Sequence, residues 1–242
     1  GSEMNCNSVL SRESPAEKLA FSNPQAYPLF SVMDPESTFT LPERQTINGI
    51  VDAFVHVCEQ YMTYPVNSPL QDRQAEAVYH TLVEEGPKVL KNPRDYDARA
   101  NIMWAATHAL NFIMACGVPE DWSTHMIGHE ITALHGLDHA QTLACVLFGV
   151  WKHQKQAKEA KLVQYGQRIW GITPGPGAVE KAIDRTEAFF RSLGMKTRLH
   201  EYGVGTENFE KIASRIESRG MKLGEHANIG KKEILEILNL SL

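Results

Sequence analysis

The distribution of apolar residues changes near residue 34 of this 242-residue chain. Before that point, short apolar runs at Ser8-Val9-Leu10 and from Pro28 to Met33 are separated by polar residues, which predicts two β-strands. From Pro42 onward, apolar residues recur with the 3.6-residue period of amphipathic helices. The pattern therefore predicts a short two-stranded part over 1–34 and a helical domain over 35–242.

Prolines, glycines and capping residues mark the ends of the predicted helices. These helices cover 42–64, 68–87, 95–116, 119–135, 139–151, 155–171, 178–193, 206–219 and 231–239. The predicted fold class is mainly α. Because two strands do not form a stable sheet alone in water, we expect residues 1–34 to belong to a sheet that this chain does not complete.

Composition narrows the classes of partner. A net charge of −5 provides no basic excess to displace counterions from phosphates, so nucleic acid is not an expected partner. The four cysteines form no C-x-x-C pair, which favours reduced thiols, and no apolar stretch has the length of a membrane span. Together these features predict a cytoplasmic protein that binds small molecules and no membrane.

Candidate chemistry comes from one aspartate and four histidines at helical spacing. The five residues are Asp52, His56, His125, His129 and His139. Side chains four residues apart on a helix share one face, at about 5–6 Å, which is close enough to bind one cation together. Imidazoles with one carboxylate suit Fe(II) or Zn(II), whereas calcium and magnesium prefer more oxygen ligands. Spacing alone does not decide which of the five bind.

Less specific interpretations remain open for these residues. A buried Asp52 and His56 could simply form a hydrogen bond at a seam between helices. A metalloprotease is excluded because Glu130 follows His129, instead of lying within an H-E-x-x-H motif. A helical metal-dependent phosphohydrolase remains an alternative, although it needs an adjacent His-Asp pair and this chain has the reverse order, Asp138-His139.

The residues around these candidates resemble a known family. The matching stretches are 1–5, 41–56, 124–130 and 136–140. They are similar to the iron-containing (group III) alcohol dehydrogenase family, and most similar to its NADPH-dependent aldehyde reductase and butanol dehydrogenase branch. The resemblance covers essentially the whole chain. It implies a dehydroquinate synthase-like helical metal-binding domain, preceded by a remnant of a nucleotide-binding α/β domain.

The resemblance also assigns roles to individual residues. It implies that the ligands of an Fe(II) or Zn(II) ion are Asp52, His56, His125 and His139. His129 matches a histidine near the nicotinamide and the substrate that relays protons. Lys18 matches a lysine near the nicotinamide end of the cofactor, and Gly1 and Ser2 match the end of a loop that closes over the cofactor.

The implied activity is hydride transfer between NAD(P)H and a small aldehyde or primary alcohol, with a metal acting as Lewis acid. The branch favours NADP(H) over NAD(H), and the family implies a homodimer. The family's N-terminal nucleotide-binding domain has a Gly-rich turn that this chain lacks. We therefore expect a bound metal but little or no turnover by this chain alone. The alternative is a non-catalytic metal-binding fragment.

Overall fold

The computed structural model describes residues 3–242. Within this range the strands are β1 (Asn7–Arg12) and β2 (Glu17–Ser22), and the helices are α1 (Glu43–Tyr61), α2 (Pro69–Lys91), α3 (Tyr96–His108), α4 (Ser123–His135), α5 (His139–His153), α6 (Glu159–Trp170), α7 (Ala178–Ser192), α8 (Phe209–Ser218) and α9 (Lys231–Leu240). The prediction of a mainly α-helical chain with a short β segment is confirmed. The division near residue 34 stays a prediction.

Helices α1 and α5 form the centre of the core. The predicted apolar stripe of α1 is confirmed, since Ile50, Val51 and Phe54 have no exposed surface. Helix α5 packs against α1, α4 and α9. Gly128 of α4 allows one of these contacts, because a Cβ there would lie 2.8 Å from Thr142 Oγ1 of α5. The close approach brings the histidine-bearing ends of α4 and α5 together.

The second predicted strand is wrong. Residues Ser8–Leu10 lie in β1 as predicted, but the partner of β1 is Glu17–Ser22, paired antiparallel from Asn7 opposite Ser22. The segment from Pro28 to Met33 has no strand pairing, and its Leu29 side chain is fully exposed. A strand forms only where a neighbour accepts and donates its backbone hydrogen bonds, and no such neighbour lies beside this segment among residues 3–242.

Several helix ends also differ from the prediction. Helix α2 continues past Pro87 to Lys91, because the fully buried Val89 stabilises its last turn by packing. Helix α3 ends at His108 and not at 116, and Phe112 beyond it has a left-handed backbone (φ 64°). Helix α4 begins at Ser123 and not at 119, because Trp122 is also left-handed (φ 61°).

Two findings bear on the expectations from composition. Among residues 3–242, no helix combines the length and the apolar character that crossing a membrane requires. The cysteines are all free thiols, and only Cys116 is exposed.

Candidate metal centre

Three helices bring the predicted ligands together around one carboxylate oxygen. Asp52 Oδ1 lies 3.8 Å from His56 Nε2, 3.9 Å from His125 Nε2 and 3.6 Å from His139 Nε2. Ligand atoms at 2.0–2.2 Å from a tetrahedral ion are separated by roughly 3.4 Å. Asp52, His56 and His125 each offer a ligand atom within 4.8 Å of the others, whereas His139 meets this group at Asp52 Oδ1. Helical spacing on α1 and the approach of α4 and α5 produce the convergence.

The turn between α4 and α5 directs His139 back towards the other histidines. Gly136 ends α4 with a left-handed backbone (φ 70°), a conformation that glycine adopts without strain. Gln141 then accepts a hydrogen bond from the Asp138 backbone N–H at the start of α5 (3.1 Å). His139 is the first residue of that helix and faces Asp52.

Buried polar atoms at the centre of this cluster support a cation site. Asp52 Oδ1 and His125 Nε2 are buried, and neither has a hydrogen-bond partner among residues 3–242. A buried polar atom without a partner destabilises a protein by about 1–3 kcal/mol. These atoms are two of those that converge, and a divalent cation would satisfy both. The residues therefore fit an Fe(II) or Zn(II) ion.

The low pKa values of the histidines also favour metal binding. Burial lowers the pKa of His125 well below its usual range, and the nearby His56 and His139 lower it further. Burial also lowers the pKa of His139 to about 4, although Asp52 opposes that shift. At neutral pH these rings are neutral, and only neutral imidazoles have the lone pair that a metal ligand needs.

His129 lies beside this cluster but outside its closest contacts. Its ring centroid is 6.4 Å from that of His125 and 5.0 Å from that of His139. Burial, with the neighbouring His139 and Lys18, lowers the pKa of His129 to about 3. His129 borders a cavity of about 380 Å³ that the other three histidines also line.

The remaining walls of this cavity are largely apolar. Phe112 and Trp122 line it, and both have a left-handed backbone that bulky residues rarely adopt. The Trp122 indole Nε1 donates a hydrogen bond to Glu120 Oε2 (2.7 Å), which fixes the ring against the cavity. The cavity thus combines a polar floor with an apolar wall, and it suits a small molecule with one polar and one apolar end.

Lys18 approaches the site from β2, the second strand of the β1–β2 hairpin. Strand β2 packs against α4, and Arg215 of α8 donates a hydrogen bond to the Ala16 carbonyl next to that strand. Burial lowers the pKa of Lys18, whereas the charge of Asp52 raises it, so the two groups are close enough to interact. Gly1 and Ser2 lie outside the described residues, and their role stays a prediction.

Sequence reasoning missed a carboxylate that contacts the cluster. Glu59 of α1 is buried, and its Oε1 accepts the backbone N–H of His125 (2.9 Å) and lies 3.0 Å from His125 Nδ1. A signal for it exists, because Glu59 follows His56 by one helical turn within an otherwise apolar stretch. An acidic residue in that position requires a partner.

A buried lysine lies behind Glu59. Lys158 has 1% exposure, with its Nζ 2.7 Å from Asp121 Oδ2 and 2.8 Å from Glu225 Oε2. Burial lowers the pKa of Lys158, but these two carboxylates raise it more, so that the pKa lies above its ordinary value. The sequence contains no signal for this cluster, because its members are far apart along the chain.

The histidine pKa values predict that acid destabilises the metal-free protein. His129 and His139 have a pKa of about 3 and 4 when folded and near 6.5 when unfolded. The unfolded state therefore binds more protons below pH 6.5, so the free energy of unfolding falls as the pH drops from about 6.5 towards 4. Urea unfolding in the presence of a chelator, at several pH values, measures this slope.

The variant His129→Gln isolates one histidine in that measurement. We expect a shallower pH slope in this variant, because one group no longer takes up a proton on unfolding. The unmodified chain, measured under the same conditions, provides the comparison. An unaltered slope in His129→Gln would contradict the assignment.

Comparison with known proteins identifies the family. The model of the Fe-containing alcohol dehydrogenase family, C-terminal, matches residues 46–242. The NADPH-dependent aldehyde reductase YqhD of Escherichia coli is 50% identical over 232 residues, which are 95% of this chain and 60% of that protein. The NADP-dependent alcohol dehydrogenase 3 of Entamoeba histolytica is 43% identical and is covered to 61% of its length. The chain thus spans about three fifths of these relatives.

Solved structures agree with the sequence comparison. The crystal structure of YqhD from E. coli K-12 superposes with a TM-score of 0.98 at 47% identity, covering 100% of this chain and 63% of that one. The NADH-dependent butanol dehydrogenase A of Thermotoga maritima superposes with a TM-score of 0.93 at 30% identity, covering 99% and 63%. The resemblance predicted from the sequence is therefore confirmed, and the chain belongs to the Fe-containing alcohol dehydrogenase family.

Proposed function

We propose that this chain is the metal-binding catalytic part of an NAD(P)H-dependent aldehyde reductase or alcohol dehydrogenase. The observation that best supports this proposal is the convergence of three imidazole Nε2 atoms on Asp52 Oδ1 at the floor of a cavity. We assign Asp52, His56, His125 and His139 as ligands of Fe(II) or Zn(II). When bound, the metal supplies Lewis-acid polarisation of a carbonyl, and the nicotinamide supplies or accepts the hydride.

The other cavity residues orient the substrate and handle protons. Phe112 and Trp122 offer an apolar surface to the carbon chain of a small aldehyde or primary alcohol and exclude water from the reacting carbon. His129 is neutral at physiological pH because of its low pKa, so its ring can donate a hydrogen bond from one nitrogen and accept a hydrogen bond at the other. We assign His129 the proton relay.

The cofactor and partner assignments rest on the relatives. The relatives from E. coli and Entamoeba histolytica are described as NADPH- or NADP-dependent, which supports NADP(H). The Thermotoga maritima protein and several other butanol dehydrogenases are described as NADH-dependent. Lys18 lies close enough to Asp52 to interact with its charge, which supports the assignment of Lys18 as a cofactor contact beside the site. A homodimer in the cytoplasm stays our prediction.

A nucleotide-binding domain is the further partner that we expect. The segment near residue 30 exposes apolar side chains, with Leu29 at 100%, Phe30 at 81% and Val32 at 85%. Extended apolar residues without a strand partner suit pairing with the sheet of such a domain. Fusing this chain to the N-terminal two fifths of the E. coli relative supplies that sheet.

The fusion tests the proposed activity. We expect the fused protein, loaded with Fe(II) or Zn(II), to oxidise NADPH with butyraldehyde, and the chain alone to bind metal with little or no turnover. A folded, metal-loaded fusion without reductase activity would contradict the enzyme assignment. Metal binding without cofactor binding in that fusion would instead support a non-catalytic metal-binding fragment.

The phosphohydrolase alternative loses its support in the geometry. Its adjacent His-Asp pair would have to come from Asp138-His139, but the Asp138 carboxylate accepts hydrogen bonds from Asn48 Nδ2 (2.8 Å) and Arg44. The Asp138 carboxylate thus binds two side chains of α1 and not the histidine cluster. A metal-dependent phosphatase assay on the chain is expected to be negative.

A further inference from the structure

Glu59 touches a metal-ligand candidate without reaching the cavity. Its side chain has 2% exposure, and it is absent from the walls of the cavity that the four histidines line. One oxygen, Oε1, accepts the backbone N–H of His125 at 2.9 Å and lies 3.0 Å from Nδ1 of the same residue. The contact therefore fixes both the backbone and the ring of His125.

This geometry selects one tautomer of His125. Burial and the nearby Asp121 raise the pKa of Glu59 well above its ordinary value, but a proton on Oε2 leaves Oε1 able to accept both N–H groups of His125. We therefore assign the ring hydrogen to Nδ1. The lone pair is then on Nε2, which is buried, has no hydrogen-bond partner among residues 3–242 and lies 3.9 Å from Asp52 Oδ1. The ring thus presents its lone pair to the centre of the cluster.

A second layer of contacts holds Glu59 in place. The Asp121 backbone N–H donates to the Glu59 carbonyl (2.8 Å), and the Asp121 carboxylate accepts the Ser123 N–H at the start of α4 (3.0 Å). Lys158 pairs with the other oxygen of Asp121 and with Glu225. Helix α1 is therefore joined to the first turn of α4 at two levels, next to His125.

We propose that Glu59 is a positioning residue, which holds His125 in the tautomer and orientation that the metal site needs. The inference rests on the metal site of the proposed function and extends it to a residue that contacts neither metal nor substrate. Carboxylates that orient a ligating histidine in this way typically contribute about 10–100-fold to metal affinity.

The test compares Zn²⁺ affinity in the full chain and its variants by competition with a chromophoric chelator. In Glu59→Gln a neutral amide oxygen replaces the Glu59 oxygen that accepts both N–H groups of His125, and a neutral acceptor holds the Nδ1–H more weakly than a carboxylate does. We expect Zn²⁺ binding about 10–100-fold weaker than in the unmodified chain. The control is Glu76→Gln, a buried carboxylate that bonds Tyr61 and Arg168 away from the cluster, and its affinity is expected to be unchanged.

A spectroscopic measurement on the unmodified chain tests the inference even if the Glu59→Gln variant does not fold. Nitrogen-15 NMR of the metal-free, unmodified chain is expected to show His125 protonated at Nδ1. Protonation at Nε2, or a Glu59→Gln variant that binds Zn²⁺ as tightly as the unmodified chain, would overturn the inference and leave the metal site standing. Absence of Zn²⁺ binding by the unmodified chain would overturn the proposed site itself.

Discussion

Replacing Asp52 by asparagine removes tight metal binding. Asp52 Oδ1 is the atom on which the three imidazole nitrogens converge at 3.6–3.9 Å, and the substitution exchanges its charge for a neutral amide. Since the loss of a residue that only orients a ligand already weakens binding about 10–100-fold, we expect Asp52→Asn to weaken Zn²⁺ or Fe(II) binding more than about 100-fold. Chelator competition and the metal content after dialysis measure the effect.

The matched control for this variant is Asp184→Asn. Asp184 is an exposed aspartate on α7, so the same chemical change there leaves metal binding intact. Retention of one tightly bound metal by Asp52→Asn would show that the ion lies elsewhere.

Replacing Lys158 by methionine has the largest expected effect on folding. Lys158 is buried and is the cation between Asp121 and Glu225, so its loss leaves two buried carboxylates uncompensated. Removing one partner of a buried ion pair destabilises proteins by about 3–5 kcal/mol. For a domain of this size, that corresponds to a decrease in melting temperature of roughly 6–20 °C. Thermal and urea unfolding measure both quantities.

Lys155 provides the control on the same stretch of chain. Its partner is Glu180, and both side chains are about half exposed. Exposed ion pairs contribute about 0–1 kcal/mol, so Lys155→Met is expected to change stability little. If Lys158→Met unfolds as late as Lys155→Met, the buried cluster does not stabilise the fold as described.

The sequence predicts those features that depend on neighbours along the chain. Helical periodicity locates α1 and its buried face, and the four-residue spacing brings out the pairs Asp52/His56 and His125/His129. Spacing does not separate His129 from the ligand candidates. That difference comes from the turn at Gly136, which directs His139 towards Asp52 and leaves His129 at the cavity wall.

Where a feature depends on residues far apart along the chain, the sequence-based prediction was wrong or absent. The hairpin partner of β1 was misassigned, because strand pairing is decided by available neighbours and not by the apolar run from Pro28 to Met33. Asp121 lies just before α4, Lys158 just before α6 and Glu225 between α8 and α9, so only the packing of these separate segments reveals that they meet. Glu59 was within reach of sequence reasoning, as a lone acid on an apolar helix face.

The most direct test of the metal centre is an anomalous-scattering map from crystals of the chain loaded with Zn²⁺. We expect one peak at about 2.0–2.2 Å from Asp52 Oδ1 and from the Nε2 atoms of the histidines at 56, 125 and 139, with His129 outside the ligand sphere. A peak ligated by His129 in place of one of these residues, or no peak between α1, α4 and α5, would contradict the proposed metal site.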